Sequence, residues 1–184
     1  GASGEHSHAL HFWQHLAEVL KAGPIAEVSA EFKFVEIGTA RYDELFFLTV
    51  TTESGLMGRV VQDVVTSAFR SAGQRCSALR LLLLQEDIAD HTLKMLAGAM
   101  DALVVGNPSD PATDVGPVID AAAYTRLMDY RESRTADWIH TIVVPGSGHF
   151  VPPTAIRLAS LEGLTQEWFG PLLHVATWKS GTIE

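Results

Sequence analysis

The stretch "SAFRSAGQRCSALRLLLLQ", Ser67 to Gln85, decides how the rest of the chain is read. It carries the only cysteine of the 184 residues, Cys76, between a helical pattern and a run of four leucines. Upstream, Val60, Val61, Val64, Val65, Ala68, Phe69 and Ala72 recur on one helical face, which predicts a helix over 57–72 with Gly73 as its stop. Downstream, "ALRLLLLQ" is too uniformly apolar for a sheet with one wet face and reads as a central strand covered on both sides. Cys76 therefore falls at a junction between two elements.

Working outward, further helices and strands follow in alternation. Asp87 starts a helix with Ala89, Leu93, Leu96, Ala97 and Met100 on one face, and "VVGNPSDPATDVGPVI" is a loop punctuated by Gly and Pro. Asp120 is expected to cap a helix reaching about Arg134. Strands are expected at "IHTIVV", "AIRLA" and "LLHVATW", the last after the "FGP" turn at Phe169 to Pro171. On the amino-terminal side, residues 7–22 read as a helix ended by Gly23-Pro24, "VSAEFKFVEI" alternates as a strand, and "LFFLTVT" (45–51) reads as a second strand before a break at Glu53 to Gly55. The expected fold class is α/β, an open, largely parallel sheet with helices on both faces. A single domain is expected over 1–184, with an atypical amino-terminal part, 1–55.

Composition narrows the function. Hydrophobic residues make up 47% and charged residues 19%, with a mean hydropathy of +0.14, as expected of a core-rich globular chain. The formal charge of −9 and the scatter of the 13 Lys and Arg argue against nucleic acid and anionic membranes as partners. The longest apolar run is too short to span a bilayer. One cysteine cannot form an internal disulfide, which favours a reducing, cytoplasmic setting. No secretory signal pattern is visible, and without an initiating Met "GASGEHSH" reads as either an added leader or the cut edge of a longer chain.

Cys76 has two readings. As one of the most readily buried residue types, it could be a small core hydrophobe. Alternatively, "AGQRCSA" supplies Gly73 for a tight turn, Arg75 as an adjacent cation, and backbone N–H groups left free by the helix–strand break. Those features lower a thiol pKa and can hold an oxyanion.

"SAFRSAGQRCSALRLLLLQEDIAD" resembles the catalytic-cysteine segment of the aldehyde dehydrogenase superfamily. The resemblance continues in order through "LVVGNPSDPATDVGPVIDAAA", "FVPPTAIRL" and "LTQEWFGPLLHVATW", spanning about Arg59 to Trp178. Within the superfamily these blocks are most similar to the pyrroline-5-carboxylate (glutamate semialdehyde) dehydrogenase part of the proline utilisation A proteins. The resemblance implies NAD-dependent oxidation of L-glutamate γ-semialdehyde in proline catabolism. It implies Cys76 as the nucleophile, forming a thiohemiacetal and then a thioester. It further implies Glu167 as the acid that binds the nicotinamide ribose and Phe169 as the ring beside the nicotinamide. Arg75 and Ser77 would help hold the small carboxylated substrate. Taken singly, Glu167 could be a solvated turn residue, Phe169 a core anchor, Ser77 a backbone cap and Arg75 a surface charge.

Departures from the family pattern matter equally. The superfamily places a nucleotide-binding domain ahead of this region, yet residues 1–55 are too short for one and show no G-x-G-x-x-G. Its general base lies in an E-L-G-G or E-T-G-G turn a little over thirty residues before the cysteine. Here "VEIGTARYDELFF" occupies that region, with Glu36 40 residues and Glu44 32 residues before Cys76. Glu36, in "EIG", is taken as the base, against the reading of both glutamates as solvated strand-end residues. The family's later glycine-rich segment and oligomerisation strand are also missing, so little turnover is expected of the chain alone. A missing nucleotide-binding domain or a second copy is the expected partner. The alternative is a non-catalytic domain of the same fold with an assembly or covering role. Separately, His8, His11 and His15 share a helical face at a spacing able to chelate a metal, but no acidic or thiol ligand matches, and no metal site is expected.

Overall fold

The computed structural model describes residues 28–37, 40–50 and 57–179. The helix expected over 7–22, the histidines on it and the break at 53–55 lie outside these residues. Six strands form one sheet: β1 (Val28–Ile37), β2 (Ala40–Val50), β3 (Leu81–Gln85), β4 (Trp138–Thr141), β5 (Thr154–Arg157) and β6 (Leu172–Trp178). Their order across the sheet is β1-β2-β3-β6-β5-β4. The four central strands run parallel, while β1 pairs antiparallel with β2 and β4 antiparallel with β5. The sheet is therefore mixed, with a parallel centre and antiparallel edges.

Among the described residues three α-helices accompany it: α1 (Met57–Phe69), α2 (Glu86–Asp101) and α3 (Ala121–Ser133). α1 is rich in β-branched residues, which are modest helix formers, so its helicity rests on burying Val60, Val61, Val64, Val65, Ala68 and Phe69. It packs on α2, where the Thr92 hydroxyl lies 3.7 Å from the Met57 sulfur. Glu86 and Asp87 place negative charge in the first turn of α2, which suits the helix dipole. α3 starts as expected, with the Asp120 carboxylate accepting from the Ala123 N–H at 2.7 Å.

Two adjacent residues of β4 show that helices cover both faces. The His140 ring bonds Asp101 of α2, whereas the Thr141 hydroxyl accepts from Arg131 of α3. Successive strand residues point to opposite faces, so α2 and α3 lie on opposite sides of the sheet. Leu81, Leu82 and Leu84 of β3 are buried, as are Leu172 to Ala176 of β6, as the reading of a covered central strand requires.

Some boundaries differ from expectation. The regular helix stops at Phe69, and Arg70–Gly73 form a tighter 3-10 turn in which Ser71 (φ 58°), Ala72 (φ 52°) and Gly73 (φ 61°) are all left-handed. β3 begins at Leu81, with Ala78 to Arg80 outside the ladder. The strand expected at "IHTIVV" ends at Thr141, leaving Val143 95% exposed. The apolar run predicts a strand through Val144, but pairing with β5 runs only from Trp138 to Thr141.

Candidate active site around Cys76

The left-handed turn after α1 reverses the chain and delivers residues 74–77 to the amino-terminal end of β3. Left-handed backbone at non-glycine residues costs about 1–2 kcal/mol each, so surrounding contacts must hold Ser71 and Ala72 there. Gly73 is required for a second reason. A Cβ on it would collide with the Gly170 carbonyl of the "FGP" segment. Gly170 in turn sits against Leu127, whose Cδ2 would lie 2.6 Å from an added Cβ.

Cys76 is exposed in the turn, which overturns its reading as a small core hydrophobe. Among the described residues, neither the Cys76 nor the Ser77 backbone N–H donates a hydrogen bond. Arg75 is exposed and Ser77 half-buried. The Gln74 amide oxygen accepts from the Ile119 N–H at 2.9 Å, tying the turn to the loop before α3.

Sequence reasoning missed the residue that organises the site. Arg80 is only 1% exposed and spans from the cysteine turn to the segment before β6. Its Nη1 donates to the Gly73 carbonyl at 2.5 Å and its Nη2 to the Arg75 carbonyl at 2.9 Å. Its Nε donates to the Glu167 carboxylate at 3.2 Å, and its guanidinium lies over the Phe169 ring, 4.9 Å from the centroid. Burial lowers the Arg80 pKa, opposed by the Glu167 charge and hydrogen bond and by the nearby Cys76. The available signal was an arginine beside an otherwise apolar run.

Beneath Arg80 lies a buried histidine. The Arg80 carbonyl accepts from the His174 backbone N–H at 2.9 Å and sits 3.1 Å from its Nδ1. A carbonyl can only accept, so Nδ1 carries the proton and Nε2 accepts from the Tyr130 hydroxyl at 2.8 Å. Burial drives the His174 pKa down to about 4, which keeps the ring neutral. Tyr130 also stacks on Trp168, with ring centroids 3.8 Å apart. This packing fixes the neighbours of Glu167 and Phe169 from below.

Cys76, Arg75, Ser77, Glu167 and Phe169 thus share one end of the sheet. Phe169 is 37% exposed and so is no core anchor, while Glu167 keeps 21% of its side chain exposed and pairs with Arg80. Glu36 stands apart on edge strand β1, opposite Arg41, with β2 between it and β3. Its register places it beyond the amino-terminal end of β3, the end from which Cys76 enters. Glu44 lies in β2. Among the described residues no cluster of His, Cys, Asp or Glu could hold a metal ion.

Residues 49–182 match the aldehyde dehydrogenase family. The chain belongs to that family. Among aldehyde dehydrogenase relatives, the bifunctional protein PutA of Klebsiella aerogenes is 43% identical over 152 residues, covering 73% of this chain and 11% of the relative. The 1-pyrroline-5-carboxylate dehydrogenase of a Geobacillus species is 33% identical over 119 residues, covering 61% of this chain and 23% of that protein. A mutant proline utilization A of Bradyrhizobium japonicum superposes with a TM-score of 0.67 at 45% identity, over 72% of this chain and 14% of that one. The chain spans about a tenth of the length of its PutA relatives. In this chain the cysteine turn and the Glu167 segment lie at the amino-terminal ends of the adjacent strands β3 and β6. Open α/β sheets more often bind ligands at the carboxyl ends.

Proposed function

We propose that this chain is the cysteine-bearing part of an NAD-dependent aldehyde dehydrogenase that oxidises L-glutamate γ-semialdehyde to the carboxylic acid in proline catabolism. The observation that carries this reading is the exposed Cys76 thiol on a strained turn, roped by one buried arginine to Glu167 and Phe169. The Cys76 thiolate adds to the aldehyde carbon, and the carbonyl oxygen becomes an alkoxide. The Cys76 and Ser77 N–H groups are the donors available to that oxyanion. Arg75 and Ser77 flank the nucleophile and contact the substrate.

The residues present fit the nicotinamide-ribose end of NAD, since Glu167 offers a partly exposed carboxylate to ribose hydroxyls and Phe169 an exposed ring beside it. When bound, NAD supplies the hydride acceptor that makes oxidation to a thioester possible. Water then displaces the Cys76 thiolate, releasing the carboxylate product, with Glu36 assigned as the base. None of the described residues is assigned to the adenosine end of the cofactor, and little NADH formation is expected from the chain alone.

The test is the rate at which iodoacetamide alkylates Cys76, followed against pH with and without glutamate semialdehyde. A thiol reactive well below the ordinary value of about 8.5, and protected saturably by the aldehyde, supports the reading. An ordinary thiol without protection overturns it and favours the non-catalytic assembly or covering role.

A further inference from the structure

We propose that Arg80 is a positioning residue through which the charge of Glu167 sets the reactivity of the Cys76 thiol. The inference rests on the reading of Cys76 as nucleophile. A guanidinium keeps its proton and presents donors in a rigid plane, so its partners are held in fixed relation. Two of those donors grip the carbonyls of Gly73 and Arg75, which lie three residues and one residue before Cys76. A third donor grips Glu167, 87 residues away in sequence. At 1% exposure the guanidinium is poorly screened by solvent, and it lies 3.2 Å from Glu167 while bonding the carbonyl of Arg75, the residue next to Cys76.

Cys76 and Glu167 therefore compete for one buried cation. While Glu167 holds Arg80, the positive charge is largely neutralised and favours the thiolate less. A ligand whose hydroxyls draw the Glu167 carboxylate away leaves Arg80 less compensated, and the thiolate becomes more favourable. Binding at Glu167 would thus raise the reactivity of Cys76 without touching it. The other charges nearby are Arg75, exposed in the same turn, and Arg70, which pairs with Asp114 at 3.5 Å. His174, on the Arg80 carbonyl, is neutral.

Glu167→Gln mimics the withdrawn carboxylate. The alkylation rate of Cys76 against pH is compared for wild type, Glu167→Gln, Arg80→Met and the double variant, with folding followed by circular dichroism. Glu167→Gln should move the profile to lower pH and speed alkylation at pH 7 by about threefold or more, and Arg80→Met should slow it by a similar factor. The double variant should match Arg80→Met, because the proposal has Glu167 act on the thiol through the guanidinium. An unmoved Glu167→Gln profile, or a Glu167→Gln effect that persists without Arg80, overturns the proposal. Should Arg80→Met fail to fold, Glu167→Gln alone decides. A wild-type thiol as slow as free cysteine would instead overturn the nucleophile reading, whatever the variants show of the coupling.

Discussion

Two buried arginines make a controlled comparison within one molecule. Arg80 and Arg131 are 1% and 6% exposed, each lies over an aromatic ring, and each has a lowered pKa whose largest cause is burial. Arg131 sits with its guanidinium carbon 3.9 Å from the Trp138 ring centroid, donates to the Thr154 and Thr141 hydroxyls at 2.8 Å each, and pairs with Glu132. Its polar partners are side chains of α3, β4 and β5, so it staples a helix to a sheet edge. Arg80 instead grips two backbone carbonyls of a strained turn beside an exposed thiol. The same side chain thus serves packing in one place and site geometry in the other. What differs is whether its partners can move a reactive atom.

The largest effect is expected from Gly73→Ala, which breaks the Arg80 side of the comparison at its backbone. The new methyl would enter the Gly170 carbonyl at a positive φ, and unfolding free energy should fall by about 3 kcal/mol or more in a urea titration. Next is Arg80→Met, which removes the buried donors to two carbonyls and to Glu167 and should cost about 3 kcal/mol while also slowing Cys76 alkylation. Arg131→Met should cost about 2 kcal/mol through its lost hydroxyl and stacking contacts, yet leave the alkylation profile of Cys76 in place. A slowed thiol in Arg131→Met would erase the distinction between the two arginines.

His174 sharpens the comparison through pH. Its folded pKa of about 4 lies below its ordinary 6.5, so the unfolded chain binds the extra proton first as pH falls. Stability should be full above about pH 6.5, decline toward about pH 4 by roughly 2–3 kcal/mol, and receive no further loss from this group below that. Urea midpoints of wild type and His174→Gln measured across this window should converge at the acid end. The smallest effect is expected from Ser71→Gly. Ser71 is exposed and left-handed, so glycine should relieve strain and raise stability by about 1 kcal/mol or less, read as a higher urea midpoint.

Much of this was legible in the residues. The valine pattern of α1, the Asp120 cap, the covered leucine strand and the strands at 155–157 and 172–178 follow from local periodicity and capping, which neighbouring residues encode. The motif blocks of the aldehyde dehydrogenase family were visible in order, and with them the residues proposed for the site. Arg80 was passed over because its purpose depends on Glu167 and Phe169, far away in sequence. The tail of the strand at "IHTIVV" was misread because apolar character alone cannot tell a paired segment from an exposed one, as Val143 shows.

The sequence by itself determined the alternation of helices and strands and the position of the single thiol at a junction, whereas the end of α1 at Phe69 came from the structure. Only the tertiary structure decided that β3 and β6 lie side by side and parallel, with Leu81 opposite His174. That pairing brings the chain before β3 and the chain before β6 to the same edge, where one guanidinium can reach both. Periodicity is a property of neighbours along the chain, whereas a buried charge is stabilised by whatever the fold places around it.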